Sequence, residues 1–258
     1  LTRIAIVTGA TAGIGAAFAS QFAAEGYDLT LVARDEARLD ASAKELADRH
    51  GVTVTPLVAD LSTTAGCEIV EARLADPAAP VEMLVNNAGM SLNRSFLRST
   101  VEQEERLLHL NVHAVMRLTK AALPGMVERR RGDIVNVSSA ASFGVPSPGS
   151  TYSSSKAWVT NFSQSIALSV RSSGVRVMAL CPGYTRTEFH DRAGINMSKT
   201  PGWLWLNSAE VVHDGLRDLR KGKILSIPDW KYKTAVAGMR YLPQRLIRSI
   251  AKDSRGRR

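Results

Sequence analysis

Thr8-Gly9-Ala10-Thr11-Ala12-Gly13-Ile14-Gly15 follows a short β-branched run, Arg3 to Thr8, and leads at once into a segment where Phe18, Phe22 and Ala23 recur at helical spacing. Strand, glycine turn and helix in that order let the backbone come close to a ligand. The helix then presents free N–H groups and the positive end of its dipole to the same point. The group such a turn suits is the diphosphate of a dinucleotide. The spacing is G-x-x-x-G-x-G rather than G-x-G-x-x-G, and a glycine turn alone is weak evidence; its place between the first strand and the first helix gives it weight.

The rest of the chain repeats the alternation of strand and helix. A second strand, Asp28 to Ala33, ends in Arg34, where a reader of a free ribose 2′-hydroxyl would be acidic. Arg34 can pair with a 2′-phosphate, Ala33 offers no carboxylate and Asp35 comes two places late, so the site points to NADP; the plainer reading is a solvated loop arginine. A charged helix precedes a third strand, Val52 to Val58, which ends in Asp60-Leu61, a polar and apolar pair able to bracket the edge and face of an adenine. A fourth, Met83 to Val85, runs into Asn86-Asn87-Ala88-Gly89, and a helical stretch, Val101 to Arg130, carries Asn111 among leucines and valines. An amide on an apolar segment must be satisfied, by a site or by a core network. The fifth strand, Asp133 to Val137, delivers Ser138-Ser139; the sixth, Val175 to Leu180, ends in Cys181-Pro182-Gly183-Tyr184-Thr185-Arg186-Thr187. Every motif falls at the carboxyl end of a strand, which is where an open parallel sheet carries its site.

A loop containing Gly144, Pro146, Pro148 and Gly149 leads from Ser139 to Tyr152-Ser153-Ser154-Ser155-Lys156. On a helix Tyr152 and Lys156 project from one face, and an ammonium beside a phenol favours the phenolate. A free phenol titrates near ~10, too high for efficient proton exchange at neutrality, so a neighbouring cation is what this chemistry needs. Ser139 supplies a second hydrogen bond to a substrate oxygen. Taken alone, Tyr-x-x-x-Lys is an ordinary exposed helix pair.

The 258 residues, 45% of them apolar, suffice for one α/β domain over 1–258. No apolar run approaches the roughly 18 to 20 residues that cross a bilayer, and no basic-then-apolar leader is visible. The sequence starts at Leu1, without a methionine, which leaves room for an upstream segment. Cys67 and Cys181 suggest no disulfide framework and have no metal-ligand company, so a reducing cytoplasm is the expected home and no metal is expected. The net charge of +9 is concentrated in residues 217–258, with thirteen Lys or Arg against three acids. That end lacks zinc spacing, aromatic-basic RNA signatures and a recognition helix, which argues against nucleic acid.

Together Thr8 to Gly15, Asp60, Asn86 to Gly89, Asn111, Ser139, Tyr152, Lys156 and Pro182 to Thr187 resemble the classical short-chain dehydrogenase/reductase family over roughly residues 1–228. The resemblance implies a Rossmann-type, doubly wound α/β fold with a seven-stranded parallel sheet in the order 3-2-1-4-5-6-7 and helices on both faces. It implies that Tyr152 is the acid or base and that Ser139 orients the carbonyl. Lys156 lowers the pKa of Tyr152 and holds the nicotinamide ribose, and Asn111 keeps a water in the proton relay. NADP(H) would contact Thr8, Gly9, Thr11, Gly13, Ile14 and Gly15, then Arg34, Asp60, Leu61, Asn87, Ala88 and Gly89. Pro182, Gly183, Thr185 and Thr187 would line its nicotinamide side, together with Tyr152 and Lys156. At Ala12 the chain lacks the second basic residue of some NADP-preferring members.

Between 187 and 209, where the family places its substrate flap, stand Phe189, Ile195, Met197, Trp203, Leu204, Trp205 and Leu206, an apolar lid that suits an apolar ketone or a 3-ketoacyl substrate. The strand at Leu29 to Arg34 and the basic end are similar to the ketoacyl and hydroxysteroid reductases. The expected activity is hydride transfer between nicotinamide and a carbonyl or secondary alcohol, in a homodimer or homotetramer paired through 101–130 and 152–172. The rival readings are an NADP-binding regulator without turnover and a membrane-surface protein on the same scaffold. In the extension 229–258, Tyr232, Val236, Met239, Leu242, Leu246 and Ile250 recur at helical spacing among Lys231, Lys233, Arg240, Arg245, Arg248 and Lys252. This basic amphipathic helix, broken near Pro243, either packs on the body or makes a weak contact with a membrane surface or acyl carrier.

Overall fold

The computed structural model describes residues 3–144, 151–198 and 200–241. Seven strands form one parallel sheet in the order β3-β2-β1-β4-β5-β6-β7, as the resemblance implied. They are β1 Ile4–Thr8, β2 Asp28–Ala33, β3 Val54–Val58, β4 Met83–Asn86, β5 Gly132–Val137, β6 Val175–Leu180 and β7 Leu225–Ser226. Chain order reverses on either side of β1, opening a crevice between β1 and β4 above their carboxyl ends.

The central strands alternate between two cores because successive side chains leave opposite faces of the sheet. Ala5, Val7, Val85, Val135 and Leu180 pack beneath α1 (Gly13–Ala24), α8 (Ser208–Arg220) and the C-terminal α9 (Trp230–Tyr241). Ile6, Leu84, Ile134 and Val177 face α3 (Thr64–Ala75), α5 (Ala114–Glu128) and α6 (Tyr152–Ser169). Edge strand β3 starts at Val54 rather than Val52, is largely exposed and carries Pro56, which an edge tolerates. The helix α2 (Glu36–His50) begins where Asp35 accepts from the Arg38 N–H at 3.1 Å and ends at Gly51 in the left-handed conformation.

The sequence predicts one helix over 101–130. The structure instead has α4 (Val101–Leu108), a π-helical turn at His109–His113, and α5, which stops at Glu128. Across the turn the Ala114 N–H reaches the His109 carbonyl, five residues back. One extra residue per turn rotates Asn111 inward, where it is fully buried. Of the C-terminal stripe, Tyr232 and Val236 are buried and Met239 packs on the core beneath α9. Leu242, Pro243, Arg245, Leu246, Arg248, Ile250 and Lys252 lie outside the described residues, as do Pro146, Pro148 and Gly149. Among the described residues no helix is long and apolar enough to cross a membrane.

The glycine turn closes on itself. Gly9 has φ +65°, and a Cβ on Gly15 would lie 2.2 Å from the Gly9 carbonyl oxygen and 2.5 Å from Asn87 Nδ2. Gly15→Ala is therefore expected to lower stability by ~1–3 kcal/mol in urea denaturation, the usual cost of overpacking against backbone. Gly202→Ala, where a Cβ meets nothing within 4 Å, is expected to leave the midpoint unchanged.

Candidate active site

The strand ends of β1, β4, β5 and β6 converge on one crevice. Thr8, buried at the end of β1, donates to the Val85 carbonyl at 3.2 Å and accepts from the N–H groups of Asn87 and Ala88 at 2.9 and 3.0 Å. Asn87 Nδ2 in turn donates to the carbonyls of Thr8 and Gly9 at 2.9 and 3.2 Å. Both side chains, expected to touch a cofactor, are engaged in bracing the glycine turn. The helix α1 behind it starts at Ala12 with no side-chain cap and no acidic residue in its first turn, so its leading N–H groups have no side-chain partner of that kind. Ile14 packs partly against the core.

Ser139 caps a short 3₁₀ turn, Ala140–Phe143, its Oγ accepting from the Ala141 N–H at 3.1 Å. Tyr152 is the first residue of α6 and hydrogen-bonds to the Ser139 side chain. Lys156, four residues on, is buried; its Nζ donates to the Val137 carbonyl at 2.8 Å and lies 6.0 Å from the Tyr152 ring centroid. The structure brings the three together in a dry setting. Burial pushes the Tyr152 phenol up to about 12, and its Ser139 hydrogen bond only partly offsets this. Burial likewise lowers Lys156 to about 8. Desolvation disfavours the charged form of each, so Tyr152 stays a phenol at neutrality.

The Asn111 amide makes three hydrogen bonds. Its Oδ1 accepts from the Met90 N–H at 2.9 Å, and its Nδ2 donates to the Met90 carbonyl at 2.9 Å and to Ser155 Oγ at 3.2 Å. Ser155 donates to the Tyr152 carbonyl at 2.7 Å, so Asn111 braces the first turn of α6. A Cβ on Gly89 would lie 3.2 Å from Asn111 Oδ1 and 3.4 Å from Lys156 Nζ, which explains a glycine there.

Several supporting residues escaped the sequence reading. Glu104 on α4, 6% exposed, accepts from Thr151 N at 3.1 Å, Thr151 Oγ1 at 2.7 Å and Ser99 Oγ at 2.5 Å. It puts a carboxylate at the N-terminus of the helix that carries Tyr152, where the dipole favours one. Beneath the site Asn86 Nδ2 donates to Asn136 Oδ1 at 2.8 Å, and Asn136 Nδ2 to Ser163 Oγ at 2.9 Å, tying β4 and β5 to α6. Ser138 Oγ bonds the Lys156 carbonyl and Thr160 Oγ1, each at 2.7 Å. Acid-rich surface helices make a residue such as Glu104 look solvated; the apolar Leu107 three places on was its only signal.

On the adenine side, Arg34 is exposed at the end of β2. Asp60 is held by the N–H and hydroxyl of Ser62 at 3.0 and 2.7 Å, which outweigh burial and keep its carboxyl below the ordinary range, with Arg34 and Arg106 adding to this. Leu61 packs mostly into the core beside α3 and leaves only a small part of its side chain open. On the nicotinamide side, the Pro182 carbonyl accepts from the Ala140 N–H at 2.8 Å, and the buried Thr185 donates to the Gly183 carbonyl at 3.1 Å. Gly183 lies under the Tyr232 ring, whose hydroxyl accepts from Tyr184 N at 2.9 Å and donates to the Leu204 carbonyl at 2.8 Å. Thr187 caps the four-residue helix α7 (Phe189–Arg192), and Phe189 lies with its ring 5.8 Å from that of Tyr152. Leu206 is buried, Leu204 packs on the core and Trp203 is exposed. Among the described residues no cluster of His, Cys, Asp or Glu suits a metal ion.

A doubly wound sheet, a glycine turn opening onto an uncapped helix and a Ser–Tyr–Lys cluster at the strand ends define the class of dinucleotide-fold oxidoreductases. A family described as short chain dehydrogenase matches residues 3–197, and the chain belongs to it. A short-chain dehydrogenase from Sphingobium yanoikuyae, solved in complex with NADPH, is 37% identical with a TM-score of 0.85 over 99% of this chain and 98% of that one. The very-long-chain 3-oxoacyl-CoA reductase of Anas platyrhynchos is 35% identical over 200 residues, 71% of this chain and 60% of that protein. The inactive hydroxysteroid dehydrogenase-like protein 1 of Homo sapiens is 32% identical over 246 residues, 94% of this chain and 73% of that protein.

The buried carboxylate gives a pH-dependent expectation. Burial raises the Glu104 carboxyl, but the hydrogen bonds from Ser99 and Thr151 outweigh it and hold it below its ordinary value. A depressed acid stabilises the fold above its unfolded pKa and loses that contribution as pH falls through the folded one. Glu104→Gln is thus expected to cost ~1–2 kcal/mol near pH 7, with the gap to the parent closing below about pH 4, in urea denaturation across pH.

Proposed function

We propose that the chain is an NADP(H)-dependent oxidoreductase that interconverts a carbonyl and a secondary alcohol, with an apolar ketone or 3-ketoacyl substrate. The observation that carries this reading is the Ser139–Tyr152 hydrogen bond with the buried Lys156 ammonium 6.0 Å from the phenol ring, all beside the glycine turn. The residues present fit a dinucleotide: α1 offers uncapped N–H groups to a diphosphate, and Arg34 stands exposed where a 2′-phosphate would be read. When bound, the dinucleotide supplies or accepts the hydride.

This chain's part is positioning and proton transfer. Ser139 and Tyr152 converge on one carbonyl oxygen, polarise it and fix its orientation. The phenol, protonated at neutrality, gives its proton to the oxygen as negative charge grows there. In this reading Lys156 opposes the phenolate charge left behind and would hold the nicotinamide ribose. Asn111 keeps the first turn of α6 in place. Beside the lid, Ile195, Met197 and Trp205 line an open cleft of about 610 Å³ together with the polar Arg186, Asn196 and Thr200, and neither Tyr152 nor Ser139 lines it, so the apolar reading rests on the lid side chains and not on this cleft. Phe189, against Tyr152, is the lid side chain closest in kind to a substrate contact.

The assembled Ser139, Tyr152 and Lys156 favour turnover over a regulator without it, although one relative is named inactive. A membrane-surface role has less support, because the described part of the α9 stripe packs on the body. Any weak contact with a membrane or acyl carrier would fall to the charges beyond it. Exposed Leu108, Met116 and Leu168, and Trp158 stacked on Phe162 at 4.6 Å, suit pairing of α4, α5 and α6 in a homodimer or homotetramer. Two buried free cysteines suit a cytoplasmic home.

Tyr152→Phe is expected to lower ketone-dependent NADPH oxidation by ~10²–10⁴-fold, since it deletes the transferable proton and little volume. NADPH binding, followed by fluorescence titration, is expected to persist; near-parental turnover would refute the acid assignment. Arg34→Ala is expected to weaken NADPH ~10-fold or more and leave NADH unchanged, narrowing the ratio of the two.

A further inference from the structure

Arg38, in the first turn of α2, reaches across the cofactor crevice. Its Nη2 donates to the Thr11 carbonyl of the glycine turn at 3.2 Å. The same guanidinium forms a two-bond fork with Glu188, Nη1 to Oε2 at 3.1 Å and Nη2 to Oε1 at 2.9 Å, joining residues 150 apart in sequence. Glu188 follows Thr187, and a Cβ on Gly13 would lie 2.6 Å from the Thr187 methyl. The root of the lid therefore rests on the glycine turn, and the Arg38–Glu188 fork spans the groove beside it.

Three features give this fork a meaning beyond surface pairing. A carboxylate accepting both arms of a guanidinium occupies it as a phosphate would. The side chains are 41% and 48% exposed, so water and salt screen the pair and a more highly charged anion can displace it. Glu188 has a second cation ready, Arg192 at 2.6 Å. Meanwhile Arg34, one helical turn earlier in sequence, makes no ion pair among the described residues, and the glycine turn has no cation of its own at Ala12. Arg38 brings one to that turn.

Resting on the NADP(H) reading above, we infer that Arg38 is a second ligand of the 2′-phosphate and that Glu188 is its built-in competitor, tying phosphate recognition to release of the lid root. A dinucleotide with a 2′-phosphate takes Arg38 from Glu188, which passes to Arg192 and frees residues 187–188 from α2. A dinucleotide with a free 2′-hydroxyl offers no such replacement. Selectivity for NADP(H) then has two sources, the charge of Arg34 and Arg38 and the lid root that only the phosphate unlocks.

The test needs no turnover. Calorimetric titration of the full chain with 2′,5′-ADP and with 5′-AMP separates the 2′-phosphate from the rest of the adenosine half. Arg38→Gln is expected to weaken 2′,5′-ADP by ~10-fold and leave 5′-AMP unchanged, as for loss of one charged hydrogen-bonding partner. Glu188→Gln is expected to tighten 2′,5′-ADP by up to ~5-fold, the factor an exposed ion pair can contribute. The double variant is expected to match Arg38→Gln, because Glu188 acts only through Arg38. Thermal unfolding of each variant confirms that it is folded. A parent that prefers 2′,5′-ADP, with Arg38→Gln unchanged or Glu188→Gln neutral or weaker, overturns this inference alone. A parent that binds both nucleotides equally overturns the NADP(H) reading as well.

Discussion

The structure depends on keeping one ammonium out of water. Lys156 is 4% exposed, and its Nζ donates to the Val137 carbonyl at 2.8 Å, an oxygen dipole rather than an opposing charge. A buried cation without a carboxylate is costly, which is why the group is drawn down to about 8. The same dryness drives the neighbouring phenol up to about 12. The pair is thus set before any ligand arrives: a phenol that keeps its proton at neutrality beside an amine that still carries most of its charge. That combination suits giving a proton to an oxygen gaining negative charge.

Such a pair works only if α6 cannot drift, and the helix is fixed at several points by residues from three other elements. Glu104 holds Thr151 from α4, Asn111 holds Ser155 from the π-helical turn, and Ser138 holds the Lys156 carbonyl from the end of β5. The π-helical turn is what allows the second of these. A regular helix through 109–113 would shift Asn111 by the one residue that the wider turn inserts, and its amide would no longer face both Met90 and Ser155.

Much of this was legible in the sequence, and what was not has a common physical cause. The strand ends announced themselves through β-branched runs followed by glycine, serine or asparagine, and Tyr152 and Lys156 through a spacing that any helix converts into one face. Burial and long-range pairing leave no such mark. Thr8, Asn87 and Leu61 sit inside recognisable motifs, yet the first two brace the turn and the third is core, because their neighbours come from β4 and α3. Glu104 and Thr151 are 47 residues apart, Tyr184 and Tyr232 are 48, and Arg38 and Glu188 are 150. None of these pairs has a local signature. The lost helix continuity at 109–113 has the same origin, since a π-helical turn is selected by what Asn111 must reach rather than by the propensity of the turn itself.

The lid shows how unequal anchoring follows from these contacts. At its far root, Leu206 N donates to the Tyr184 carbonyl at 2.7 Å and Arg186 N to the Leu206 carbonyl at 3.0 Å, while the buried Tyr232 hydroxyl joins Tyr184 to Leu204. Part of this fastening comes from α9 itself through Tyr232, and Met239 of the same helix approaches Gly144 beside the Ser139 turn. At the near root the fastening is a half-exposed fork between Arg38 and Glu188. Shielded backbone bonds hold against salt and competing ions, whereas an exposed ion pair does not. The salt-sensitive fastening of residues 187–209 therefore lies at 187–188, next to the glycine turn. The C-terminal helix, for all its surface charge, packs through Tyr232, Val236 and Met239 on the body beside the Ser139 turn.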